Sequence, residues 1–135
     1  MCLFFAMAMT PTVQAQDEAP GTIAVSYWKC PFGDLGEAIQ LLNDDVRPVA
    51  QSVIDDGMWM DWGILTHAWG DDWNLLIYTA AADRNAFFGG WDEYISRLGA
   101  DDPDGELTEL FFALCPEHKD NIYGVVSPGG GDDGM

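Results

Sequence analysis

Met58-Trp59-Met60-Asp61-Trp62-Gly63-Ile64-Leu65-Thr66-His67-Ala68-Trp69, then Gly70-Asp71-Asp72, then Trp73-Asn74-Leu75-Leu76-Ile77-Tyr78-Thr79-Ala80 reads as two strands joined by a short turn. Aromatic and β-branched side chains suit the half-buried pleat of a sheet, and the Gly/Asp cluster supplies the turn. Setting Trp69 opposite Trp73 brings His67 against Leu75 and Leu65 against Ile77. Asp61, Leu65, His67 and Trp69 then share one face, while Met60, Trp62, Ile64, Leu76 and Tyr78 share the other. Both faces are largely apolar, which a sheet with one wet face does not show. Something has to cover each side.

The flanking sequence supplies the cover. Thr22 to Cys30 (Thr-Ile-Ala-Val-Ser-Tyr-Trp-Lys-Cys) reads as a strand stopped by Pro31 and Gly33. Asp34 opens a helix, with Glu37 placed as in a capping box and apolar residues at Leu35, Ala38, Ile39, Leu42, Val46, Val49, Ala50, Val53 and Ile54. Pro48 should kink it and Gly57 should end it. Beyond the hairpin, Asp83 to Leu98 forms a second helix weakened by Gly89-Gly90. An acidic loop at 101–106 and a short helix through Leu107, Leu110, Phe111 and Leu114 follow, and Asn121 to Val126 gives a last strand. The order is β-α-β-β-α-β. It predicts an α+β, ferredoxin-like fold with an antiparallel four-stranded sheet and helices on one face only. The bare apolar face is most simply closed by the same face of a second copy, as a homodimeric α+β barrel.

Residues 1–15 form an apolar run ending in small residues before Gln16-Asp17-Glu18, as in a secretory signal peptide cut after Ala15. Residues 16–21 read as a mobile leader, 22–126 as one domain and 127–135, Gly-rich, as a disordered tail. A secreted or periplasmic location follows from this reading. No apolar stretch approaches the roughly 20 residues of a membrane span. Five basic residues against 23 acidic ones give a net charge of −18, a field that repels phosphate backbones and excludes nucleic acid as a partner. Such acidity also suits a solvated surface in a saline habitat.

Three local strings resemble small exported bacterial proteins of unassigned function: Tyr27-Trp28-Lys29-Cys30, Thr66 through Asn74 across the hairpin, and His118-Lys119-Asp120-Asn121-Ile122-Tyr123. With the element order, the chain resembles the dimeric α+β barrel superfamily of antibiotic-biosynthesis monooxygenase-like, stress-responsive barrel and NIPSNAP-like domains. That superfamily holds cofactor-free oxygenases, cyclases, haem proteins and plain binding modules. The resemblance carries over no catalytic residue and implies no cofactor.

Cys30 and Cys115 remain once the signal segment is removed, and the topology sets the end of the first strand beside the start of the last. A disulfide is expected, with a metal site using Cys30, Cys115 and His118, or free buried thiols, as the alternatives. Trp28, Asp61, Trp62, His67, Trp69 and Tyr78 are the candidate ligand-binding residues. His67, beside a carboxylate in an apolar barrel, is the candidate general base, with a hydrogen-bonded core histidine as the plain alternative. The acidic loop fails the spacing of a calcium-binding EF-hand, because Ala100 and Phe111 would stand at its first and twelfth places. No serine nucleophile elbow, phosphate-binding glycine loop or zinc-protease helix occurs. Three functions stay open: a small-molecule-binding or structural dimer, a cofactor-independent oxygenase or isomerase with His67 as base, and a haem-binding barrel with His67 as axial ligand.

Overall fold

The computed structural model describes residues 18–126, so the expected signal segment 1–15 and the expected tail 127–135 lie outside the described residues. Gly21, the last residue of the expected leader, is already held. Its amide donates to the Ala81 and Ala82 carbonyls, and its carbonyl accepts from Val125. Four strands, β1 (Thr22–Lys29), β2 (Asp61–Thr66), β3 (Leu75–Ala81) and β4 (Glu117–Gly124), form one antiparallel sheet in the order β2-β3-β1-β4. The crossover from β1 to β2 carries α1 (Leu35–Leu41), a π-helical turn (Leu42–Val46) and α2 (Arg47–Asp55). That from β3 to β4 carries α3 (Arg84–Asp101) and α4 (Glu106–Leu114). This is the ferredoxin-like α+β fold.

The helical break falls where Pro48 predicts it. Proline has no amide to return to the preceding turn, and the chain widens into π geometry just before α2, in which Pro48 stands at the second position. Asp34 precedes α1 without accepting a side-chain capping bond, so the expected capping box does not form. Asp83 does cap, accepting from the Ala86 amide at 2.8 Å.

The hairpin departs from the expected register by one residue. Ile64 pairs with Ile77, Leu65 with Leu76 and Thr66 with Leu75, and an eight-residue loop, 67–74, replaces the short turn. His67 therefore follows β2 rather than lying in it. A slip of one residue exchanges the faces of one strand relative to its partner. Trp62 and Ile64 now share the helix-covered face with Leu75, Ile77 and Thr79. Leu65, Leu76 and Tyr78 lie on the other, with Ile23, Val25 and Tyr27 of β1 and Tyr123 of β4. Among the described residues no helix covers that second face, where Leu65 is 49% exposed.

The core lies between the first face and the helices, built on Trp28, Trp62, Leu75, Val53, Trp59 and Phe111. Cys30 and Cys115 are joined by a disulfide within it, tying the end of β1 to the end of α4. The two glycines of α3 differ in kind. A Cβ at Gly90 would come within 2.2 Å of the Trp59 indole nitrogen, which donates to the Phe87 carbonyl, whereas a Cβ at Gly89 would meet nothing within 4 Å. Gly89→Ala should raise stability by about 1 kcal/mol through helix propensity alone. Gly90→Ala should lower it by about 1–3 kcal/mol by dislodging a buried indole. Urea denaturation of the two variants checks the opposite signs.

Candidate functional site

Alternation along β1 and β4 turns Ala24, Ser26 and Trp28 toward the helices, opposite Ile122, Asp120 and His118. Over β1 and β4, α3 and α4 stand off the sheet and leave a half-open cavity of about 490 Å³, within the usual range for small-molecule sites. Its floor is β1 and β4 with Ile77 and Thr79 of β3, and its roof is aromatic: Phe87, Trp91 and Tyr94 from α3, Phe111 and Phe112 from α4. Burial drives the Tyr94 phenol well above its ordinary range, so that hydroxyl stays neutral. Phe88, Trp91, Ile95, Phe112 and Ile122 around the opening are each nearly half exposed.

One corner is polar. The Trp28 indole donates to Ser26 Oγ at 2.9 Å, and the Ser26 hydroxyl donates to Asp120 Oδ1. His118 stacks on Trp28 with ring centroids 4.4 Å apart, and its Nε2 lies 3.8 Å from Asp120 Oδ2, beyond hydrogen-bonding reach. This corner exists because β4 begins at Glu117, four residues earlier than its apolar pattern suggested. The polar run Glu117-His118-Lys119-Asp120 is an edge strand paired along its whole length with β1.

Of the six ligand-binding candidates, Trp28 and Trp62 line this cavity. Asp61 and Tyr78 sit on the uncovered face, where the Tyr78 hydroxyl donates to Asp61 Oδ2 at 3.0 Å and its ring lies over Gly63. Burial, then the Asp61 carboxylate, raises the Tyr78 phenol's pKa. Trp69 is 97% exposed at the loop tip. His67 is in the same loop, its Nδ1 3.8 Å from Asp71 Oδ1, and does not line the cavity. The histidine that does is His118.

The acidic loop has a structural use. Asp102 accepts from the Leu107 and Thr108 amides at 3.1 and 3.2 Å and from the Thr108 hydroxyl, closing the start of α4. These bonds, the Leu107 amide first, hold its carboxyl below the ordinary carboxylate range. A folded-state pKa below the unfolded one adds stability above the unfolded value and loses it as pH falls through the folded value. Asp102→Ala should therefore lower the melting temperature at pH 7. The difference from the parent should close on acidification below about pH 4, the unfolded carboxylate range. Among the described residues no three His, Cys, Asp or Glu side chains come together as a metal site.

No protein-family profile matches the sequence, and no curated protein matches it. Solved structures do. A dimeric ferredoxin-like protein from an uncultured marine organism superposes with a TM-score of 0.62 at 14% identity, covering 82% of this chain and 91% of the other. A NIPSNAP domain protein from Burkholderia xenovorans gives 0.58 at 13% identity, covering 83% and 99%. The cofactor-independent oxygenase SnoaB from Streptomyces nogalater gives 0.54 at 9% identity, covering 82% and 97%.

The chain has the fold of the dimeric ferredoxin-like proteins. At these identities the likeness speaks for fold alone, shared by NIPSNAP and antibiotic-biosynthesis monooxygenase-like proteins. Within this ferredoxin-like chain, sequence reasoning missed Ser26 and Asp120, and weighed His118 only as a metal ligand beside the two cysteines. The signal was present, since the string His118-Lys119-Asp120 stood out, but using it required the register that sets His118 beside Trp28.

Proposed function

We propose that the protein is an exported homodimeric binding protein that holds a small apolar molecule between its sheet and its helices. The observation that carries this is the cavity: about 490 Å³, walled by aromatic side chains, open to solvent on one side and bordered by a few polar side chains. A structural dimer alone has no use for a void that forfeits so much packing. Pairing through the uncovered face is supported by its row of apolar side chains and by the likeness to the dimeric ferredoxin-like protein from an uncultured marine organism. Export is supported by the apolar start of the sequence and by the disulfide, a bond that persists in oxidising compartments. Among the described residues no helix is long and apolar enough to cross a membrane.

Catalysis is the second reading, and the geometry gives its base a different residue from the one the sequence singled out. A base acting on a molecule in this cavity would be His118, which borders it, and not His67, which stands off it. Binding needs fewer assumptions, since Asp120, the carboxylate beside His118, stands 3.8 Å from its Nε2, too far for the hydrogen bond that would orient a base.

Thermal shift tests the binding reading. Octan-1-ol, a neutral apolar probe, should raise the melting temperature in proportion to its occupancy of the folded state. Ala24→Leu, which fills the cavity floor, should melt at or above the parent's temperature yet show no shift with the alcohol. An equal shift in both proteins, or none in the parent, would overturn the assignment.

A further inference from the structure

We propose that the cavity selects apolar amines, taking the apolar part between the aromatic walls and the ammonium group at Asp120. This rests on the binding reading above and adds the charge of the ligand. Two carboxylates border the cavity, Asp102 and Asp120, and neither a lysine nor an arginine does. They are not equivalent. Both oxygens of Asp102 are engaged by the start of α4. Asp120 uses Oδ1 to accept from Ser26 and leaves Oδ2 without a hydrogen-bond partner, with His118 Nε2 3.8 Å away.

The position of Asp120 suits an amphiphile. Its side chain is 65% exposed at the open edge, on β4, so an ammonium beside it keeps most of its water while the attached chain enters the cavity. Burying an ammonium outright would be costly, and nothing here asks for that. The part-exposed rings of Trp91 and Phe112 around the opening attract a cation as well as an alkyl chain. A carboxylate ligand would meet the opposite: like charge at Asp120, and the field of a chain with net charge −18. Arg47 stacks over Trp62 at the opposite edge of the sheet, 5.2 Å from its ring, and Lys119, next to Asp120 in sequence, turns its ammonium to the Tyr27 and Trp73 rings, 4.9 Å from each.

Titration calorimetry of the oxidised protein with octylamine, octan-1-ol and octanoate, a set equal in chain length and different in charge, tests the selection. The amine should bind about three- to five-fold more tightly than the alcohol, the range of an exposed ion pair, and the carboxylate most weakly. Asp120→Asn should bring the amine level with the alcohol and leave the alcohol unchanged. Glu37→Gln, an exposed carboxylate of α1 away from the cavity, should keep the preference and so separate Asp120 from the general field. Equal binding of amine and alcohol by the parent would overturn the selection while leaving the binding reading standing, as would a preference that survives in Asp120→Asn. Failure of all three probes to bind would overturn both.

Discussion

Leu65→Asp should leave a folded chain that no longer pairs, and Ile64→Asp should leave no stable fold. The two residues are neighbours on β2 and point to opposite faces of the sheet. Ile64 packs against the core beneath the helices, where an unpaired carboxylate costs several kcal/mol, a large part of the stability of a domain this size. Leu65 is 49% exposed in the single chain, so the same change there should alter its folding by about 0.5 kcal/mol or less. In an isologous dimer the substitution enters the interface twice. Even about 1.4 kcal/mol at each copy would weaken association by roughly a hundredfold. Circular dichroism and sedimentation equilibrium separate the outcomes. A Leu65→Asp protein that still sediments as a tight dimer would show that the uncovered face is not the pairing face.

Reduction of the Cys30–Cys115 bridge should cost about 4 to 5 kcal/mol, the chain-entropy value for a loop of 85 residues and an upper figure for real bridges. The bridge joins the end of the first strand to the residue after α4, so it closes most of the domain. Both cysteines are buried, and the Cys30 backbone is further held by Asn74, whose amide side chain accepts from its N–H at 2.9 Å and donates to its carbonyl at 2.7 Å. Denaturant midpoints measured with and without reductant give the loss. The Cys30→Ala/Cys115→Ala protein should show the lower midpoint under both conditions and no response to the reductant. A parent midpoint unmoved by complete reduction would contradict the assignment of a stabilising bridge.

The order of elements and the cysteine pairing were legible because each rests on strong local signals: β-branched runs, a helical repeat across the first crossover, and two cysteines brought together by topology. The register of the hairpin was not. The two tryptophans flanking Gly70-Asp71-Asp72 suggest a symmetric tight turn, yet Asn74 spends its side chain on Cys30, and the ladder ends at Thr66 and Leu75. That one-residue difference moves Leu75 and Ile77 to join Trp62 and Ile64. It decides which face is bare. The start of β4 was hidden for a related reason: an edge strand can carry Glu117, Lys119 and other polar side chains without burying them, so alternation is weak there. The cavity was half legible, through Trp28 and Trp62, because the rest of it depends on how far α3 and α4 stand from the sheet. No periodicity in one chain encodes that distance.

Isoleucine methyl groups report most directly on whether the cavity and the pairing face are separate sites, which is the centre of this account. Ile77, Ile95 and Ile122 line the cavity, and Ile23 lies on the uncovered face. With methyl-labelled protein titrated with octan-1-ol, the NMR signals of Ile77, Ile95 and Ile122 should move together along one binding curve while that of Ile23 stays in place. Movement of Ile23 alone, or of no isoleucine at saturating alcohol, would contradict it.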